Sequence, residues 1–559
     1  MQLVGRGAQD QLVTGNPSFS HFHSVYKRHS EFAMEHFELY FKTTNLNLPQ
    51  AGSLVLRTKI ERYAQLVHDC YLTMTLPDIY SPLVPYVNQT PSPPVPTAIG
   101  YEFQWAKNVG YNMIRNVSVL IGGQEIVRHT GEWMKLHAAT MFDANKKAVL
   151  DDMVGNMVDM YDPANAFDRM NQYPHAISAT DSAPADPSIP GRTLTIPLHF
   201  WFCESIGSAI PLVALQNSEV EIVVELRNVY ELFTVLDTRY GSPTFGKRIA
   251  PDSSNPMFTI PHFLSPPLAS DPTVPLLPTL TTWRLNPYIE ANYIFLGDAE
   301  MKHIAKSDHA FKITQIDMRG AEGQRGPSND LELTMKNLCT RIVWLAQRSD
   351  RDARNDYDNY TNWDDPHKPP LSSAQPFATP WYSSGNALAP NVRGRDILLE
   401  SAVILDGKER FSTKPVDFFS KLQNYRHHAG RTISDLPGLY TYSFALNHGT
   451  EQPSGHINGS MFNRTVLRNS YVEPPLGAAP PPLTVCVLKS TANSANPTIV
   501  NANAVGPTGK PLYGPSDVVT VIRKTDAQTS QYTYNVRAYV ESYNFLRVLG
   551  GIANVVFSS

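Results

Sequence analysis

Apolar and polar side chains alternate along much of this chain, the pattern of strands that rest one face on a core. From Leu66 to Leu76, the side chains of Leu66, His68, Cys70, Leu72, Met74 and Leu76 fall on one face, with Val67, Asp69, Tyr71, Thr73 and Thr75 on the other. Val220, Ile222, Val224 and Leu226 alternate in the same way with Glu219, Glu221, Val223, Glu225 and Arg227. Residues 54–56, 117–121 and 194–202 predict further strands. One segment departs from this period. Trp133, Met134, Leu136, Met141 and Phe142 recur at helical spacing and predict a helix across 131–153.

A proline-dense stretch then interrupts the pattern: nine prolines from Pro243 to Pro278 preclude regular pairing across 234–282. Strands resume at 289–296, 311–318, 331–335, 341–346, 397–405 and 440–446, and the last clear one, 532–540, turns Tyr532, Tyr534, Val536, Ala538 and Val540 one way. Four segments, 77–108, 159–191, 348–395 and 471–516, are too long for ordinary connections and are expected to form ordered surface decoration. The predicted organisation is an N-terminal arm at 1–30, a first β domain at 31–235 and a proline-rich loop and interdomain connection at 236–282. A second β domain follows at 283–559, with long insertions near 348–395 and 471–516.

The two halves echo each other. Leu120-Ile121-Gly122-Gly123-Gln124-Glu125-Ile126 returns about half a chain later as Ile404-Leu405-Asp406-Gly407-Lys408-Glu409-Arg410. Gly122-Gly123 and Asp406-Gly407 supply the positive φ angles of a two-residue hairpin turn. A duplicated all-β domain leaves such an echo.

Composition agrees. Forty-five prolines, 26 tyrosines and 24 phenylalanines among 559 residues favour strands and turn-rich loops over helices. The net charge of −4 leaves no basic surplus for neutralising phosphates, so direct contact with nucleic acid is not expected. Cys70, Cys203, Cys339 and Cys486 lie far apart, without metal or redox spacing, and are expected to be buried thiols. The first residues lack the apolar segment of a secretory signal, and no apolar run reaches the roughly 18 to 20 residues of a membrane span. A soluble protein folding in a reducing compartment is expected, where the sequons at Asn88, Asn116, Asn359, Asn458 and Asn463 carry little weight.

Four fragments carry residue types suited to chemistry. Gly15 followed by His21-Phe22-His23 opens like a metal-binding cupin pattern, but Lys27 and Arg28 stand where its Glu belongs. Ser24 and Lys27 have the spacing of a serine acyl-transferase without its downstream motifs. Asp350, Asp352, Asp356, Asp358, Asp364 and Asp365 would suit Ca²⁺, but Arg351 and Arg354 lie among them and the Gly turn and terminal Glu are missing, so a solvated loop is expected. His427-His428, near Arg426 and Arg431, is expected to make a polar interface contact. None of these assembles an acid, a base and a nucleophile, so no catalytic, cofactor or metal residues are assigned.

Landmarks across the chain resemble the major capsid proteins of nucleocytoplasmic large DNA viruses, the double jelly-roll family. They begin with Gly7-Ala8-Gln9-Asp10, Thr14-Gly15-Asn16-Pro17, Phe22 and Val25-Tyr26-Lys27-Arg28-His29. Trp201-Phe202, the run Ala209 to Gln216 and the strand Glu219 to Leu226 follow. The second half adds Leu405 to Phe411, Gln452-Pro453-Ser454-Gly455, Gly459 to Asn463, and Tyr543 to Val548 with Gly550-Gly551. The loops are longer and richer in proline than a lean member would show.

The resemblance implies an all-β fold of two consecutive eight-stranded jelly rolls with long loop insertions and a few short helices. It implies a structural protein and not an enzyme: homotrimers, pseudo-hexagonal in outline, tiling the icosahedral shell of a virion assembled in the host cell, in its cytoplasm. Neighbouring trimers, minor capsid proteins and an internal membrane beneath the shell are its implied partners. The residues expected to matter are then packing residues: the two hairpins, the core strands and Trp201-Phe202. A jelly-roll protein that binds host-surface glycans through its long loops is the alternative, and a cupin-like metalloenzyme a third reading.

Overall fold

The computed structural model describes the chain apart from residues 1–6, 44, 83–101, 170–171, 179, 181–184, 237–247, 255–257, 270–279, 281, 352–353, 364–394, 431–434, 450, 475–484, 490–497, 502–520, 524–531 and 558–559. Four antiparallel sheets make two lobes. In the first lobe, one sheet runs edge to edge through strands Phe32–Tyr40, Tyr288–Leu296, Leu66–Thr75 and Thr193–Pro197. The other runs through Ser53–Lys59, Val220–Arg227, Ile114–Ile121 and Gln124–Thr130. Their inner faces meet in one core, where Val67, Leu72 and Met74 oppose Val220, Ile222 and Val224.

The second lobe repeats this order strand for strand. One sheet runs His309–Gln324, Tyr534–Leu549, Leu338–Arg348 and Leu439–Ser443, and its partner runs Asn329–Leu333, Thr465–Tyr471, Leu398–Leu405 and Lys408–Glu409. The hairpins occupy equivalent places. Gly122 and Gly123 have φ of 60° and 81°, and Asp406 and Gly407 have 47° and 78°, so both turns carry positive φ at both central residues. The Gly122 N–H donates to Glu219 O at 2.8 Å and the Asp406 N–H to Arg464 O at 2.9 Å, each reaching the residue just before its neighbouring strand.

Successive strands of each lobe alternate in direction, which separates its connections into two ends. The tight hairpins close one end. The chain segments leaving Leu66–Thr75, Gln124–Thr130 and Val220–Arg227, with their counterparts in the second lobe, all emerge at the other. In each lobe, the long segments noted in the sequence therefore belong to connections at the end opposite its tight hairpin.

The strand Val220–Arg227 has the strict alternation expected of it. Five expectations are corrected. The face assignment of 66–76 changes at a bulge: His68 and Asp69 together oppose Asn292, so Val67 joins Cys70, Leu72 and Met74 in the core. The helix expected over 131–153 breaks into Gly131–Met141 and Ala144–Met153, because Asp143 caps the second by accepting from the Lys146 N–H at 2.8 Å. The strand expected at 194–202 ends at Pro197, and Trp201 and Phe202 enter a short 3₁₀ turn with both rings buried.

The largest correction concerns the lobe border. The sequence places 283–559 in the second domain, yet Tyr288–Leu296 pairs with Phe32–Tyr40 and Leu66–Thr75 inside the first sheet. The proline-rich stretch is thus an excursion that returns to its own lobe; its described residues Phe258, Ile260 and Phe263 pack into the first core. The crossing to the second lobe is made by the helix Asp298–Lys306. Within the segment 471–516, strands Val485–Lys489 and Thr498–Asn501 pair in a small sheet completed by Val521–Arg523, where only a loop was expected.

Candidate functional site: the seam between the lobes

The helix Gly131–Met141 leaves the first lobe and lies against the second. Thr130 starts it, its hydroxyl accepting from the Trp133 N–H at 3.0 Å. Its first residue has to be glycine, because a Cβ there would stand 2.0 Å from Tyr111 O. Trp133, Leu136 and Ala139 then pack on Val343, Leu345, Leu439 and Tyr539 of the second lobe. At its end the Gly430 N–H donates to Thr140 O at 3.0 Å, and a Cβ on Gly430 would sit 1.9 Å from Ala139 O.

Buried charges cross this apolar contact at three points. Glu132 accepts two hydrogen bonds of 2.7 Å from the Arg537 guanidinium, another from the Tyr539 hydroxyl, and one of 3.1 Å from the Tyr360 hydroxyl. Burial alone would raise its carboxyl, but the Arg537 charge and hydrogen bonds, with the Lys135 charge and the Tyr539 hydroxyl, together outweigh that and hold it down to about 2. Arg341 pairs with Glu541 at 2.8 Å and donates across the seam to Thr140 Oγ1 at 3.1 Å. Lys135 pairs with Asp358, which also accepts from Asn108 and from Asn112, the latter at 3.0 Å. Breaking any of these by removing one partner leaves an uncompensated buried charge, so the seam is specified to one geometry. Uncharged contacts extend it: Asn355 Nδ2 donates to Tyr230 O and Phe233 O at 2.7 and 2.9 Å, and Gln315 Nε2 to Ile126 O at 2.9 Å.

The four fragments with residue types suited to chemistry scatter. His21, His23, Ser24 and Lys27 are exposed on the N-terminal arm. Of the acidic loop, Asp352, Asp364 and Asp365 lie outside the described residues. The rest is not the solvated loop expected: Asp350 is held by Arg348 and Arg354, and Asp358, Asn359, Tyr360 and Thr361 are buried, because Lys135 gives Asp358 a partner in the seam. His427 Nδ1 reaches Leu446 O at 3.0 Å and His428 stacks on His448; Arg431 lies outside the described residues. Among the described residues no group of three His, Cys, Asp or Glu side chains stands in metal-holding range, and no helix is long and apolar enough to cross a membrane.

Glu132, Lys135, Arg341, Arg537 and Glu541 belong to none of the sequence fragments above. A signal was present: each charge interrupts an apolar run, as Lys135 does in Trp133-Met134-Lys135-Leu136 and Arg341 does before Ile342-Val343-Trp344-Leu345. A charge in a core-facing window needs a partner, though the window does not say which.

The fold defines a double jelly roll. Its backbone is similar to a quasi-atomic model of the PBCV-1 virus capsid, with a TM-score of 0.60 over 97% of this chain and all of that one at 18% identity. It is also similar to the Faustovirus major capsid protein, with a TM-score of 0.58 over 97% of this chain and 94% of that one at 12% identity. A family model described as the major capsid protein N-terminus matches residues 20–259, and one described as the large eukaryotic DNA virus major capsid protein matches 300–473. The major capsid protein of Phaeocystis pouchetii virus is 27% identical, over 84% of this chain and 92% of its own length. That of Paramecium bursaria Chlorella virus 1 is 23% identical, over 100% and 99%. The chain belongs to the major capsid proteins of large eukaryotic DNA viruses. Its role is structural, in the capsid of the virion, and not enzymatic.

Proposed function

We propose that three copies associate about a threefold axis into a pseudo-hexagonal block, and that such blocks tile the icosahedral outer shell of a large double-stranded DNA virus. The observation that carries this reading is the strand-for-strand repetition of the two lobes: three subunits with two matched lobes each present six similar corners. A ring of three closes, so one heterologous interface used three times leaves no open edge within the block. The seam sets the angle between lobes, and through it the outline of the block.

The two unlike ends of the subunit give it a direction. The end that carries the long segments faces outward, where host-surface glycans are candidate ligands. The hairpin end, with the exposed N-terminal arm, faces minor capsid proteins and an internal membrane. Assembly takes place in the host cytoplasm. Light scattering coupled to size exclusion, with negative-stain imaging, tests the core of this reading. Three chains of 62.3 kDa give a particle of about 187 kDa with a hexagonal outline. A protein that stays monomeric at capsid-like concentrations, with its partners supplied, rejects it.

A further inference from the structure

Five imidazoles gather around the Arg341–Glu541 pair, three from the first lobe and two from the second. On the first-lobe side, the His137 and His199 rings lie 5.3 Å apart and His199 Nε2 meets the Tyr111 hydroxyl at 2.7 Å. His129 stacks on Phe200 at 5.4 Å, is 3% exposed, and has no partner for its Nδ1. On the second-lobe side, His428 lies face to face with His448 at 5.2 Å and an angle of 10°.

The geometry assigns the protons on His448. Ser443 Oγ donates its hydrogen to Ala445 O at 2.7 Å, so the 2.6 Å contact between Ser443 Oγ and His448 Nε2 has the imidazole as donor. His448 Nδ1 then holds a bare lone pair, without a hydrogen bond, 4.0 Å from Glu541 Oε1. A proton arriving there would place a second cation against the carboxylate that Arg341 already occupies.

We propose that the histidine-lined seam is an acid-opened joint, closed while these imidazoles are neutral and loosened when protons enter it. Charges facing the cluster support this from each packed element. Arg341, from strand Leu338–Arg348, faces His137, His428 and His448; Lys146, from helix Ala144–Met153, faces His137 and His199; His427 faces the stacked pair. Glu541 faces His129 and favours its charged form, while Glu204, whose side chain reaches the surface, lies beside Glu541 and Arg341.

Burial dominates every imidazole: it lowers His129 to about 4, His199 to about 3, His428 and His448 to about 2, and His137 well below its usual value. Exposed imidazoles titrate near about 6.5, so the closed form keeps its full advantage above that pH and loses it as pH falls toward the depressed values. At pH 5, each imidazole neutral in the closed form and free in the open one raises the open-to-closed ratio about 30-fold. The inference concerns a single chain and does not depend on the trimer.

Hydrogen exchange read by mass spectrometry on the full chain tests it, at pH 7.5 and 5.0 with intrinsic rates normalised, for the wild type and for His428→Asn/His448→Gln. The expected result is that helix Gly131–Met141 and strand Leu338–Arg348 open at pH 5.0 while Val220–Arg227 stays protected, and that the double variant opens at least tenfold less. Equal opening of all three segments, or of variant and wild type, overturns the proposal. Should the variant misfold, the wild-type profile decides: seam opening confined to pH below about 4, where carboxylates titrate, overturns it too.

Discussion

Arg537, on a strand of the second lobe, grips Glu132, on the helix of the first, through two parallel hydrogen bonds of 2.7 Å. A fork of this kind fixes direction as well as distance, so it sets how the two lobes face each other.

Glu132→Gln is expected to cost about 3 to 5 kcal/mol, because it strands the Arg537 charge in a buried site. Arg537→Met alone leaves Glu132 stranded and costs a similar amount. The double variant is expected to lose less than the sum of the two single losses, by a coupling of about 1 to 3 kcal/mol in a denaturation double-mutant cycle. Additive losses would show that the pair does not act as a unit.

The same carboxyl predicts an acid limb of stability. Its folded value of about 2 lies below the ordinary carboxyl range, so its contribution is complete above pH of about 4.5 and is lost as pH falls toward 2. That contribution is about 3 kcal/mol. Melting temperatures of wild type and Glu132→Gln measured from pH 6 to 2 should differ most at the top of this range and converge at the bottom.

The hairpin glycines predict matched effects in the two lobes. Gly123 and Gly407 have nearly equal φ, 81° and 78°, and nothing lies within 4 Å of a Cβ at either. Alanine at each position is therefore expected to cost only the left-handed backbone penalty, about 1 kcal/mol, and the two costs should add because the sites are in separate lobes. Unequal losses in denaturant titrations would mean that the turns are not equivalent.

Gly430→Ala would drive a methyl group into the helix backbone across the seam. The expected loss is about 1 to 3 kcal/mol, with faster proteolysis between the lobes than in wild type. Unchanged cleavage would place Gly430 away from that contact.

Val224→Asp puts a charge at a fully enclosed position between the sheets of the first lobe. Insoluble or unfolded protein is expected, judged by solubility and circular dichroism, because no partner for the charge is available in that core. Normal soluble protein would move Val224 out of the core.

What the sequence determined by itself was local or periodic. Alternation of apolar residues marked Val220–Arg227 and most other strands, since a side-chain period of two survives whatever the strand packs against. The paired Gly122-Gly123 and Asp406-Gly407 turns disclosed the duplication, because only such residues take positive φ twice in succession without strain. Family landmarks did the rest, down to the packing role of Trp201 and Phe202. Tertiary structure alone decided which lobe claims Tyr288–Leu296, because strand pairing over two hundred residues is a choice among many strands of similar composition. It also decided that His68 and Asp69 bulge, since the register of one strand depends on its neighbour. Most of all, it decided the seam. Asp358 belongs to a loop whose sequence predicts solvation, and Glu132, Lys135 and Arg341 carry no motif that names a partner. Each is buried because its counter-ion arrives from a distant part of the chain, a pairing that no local pattern encodes.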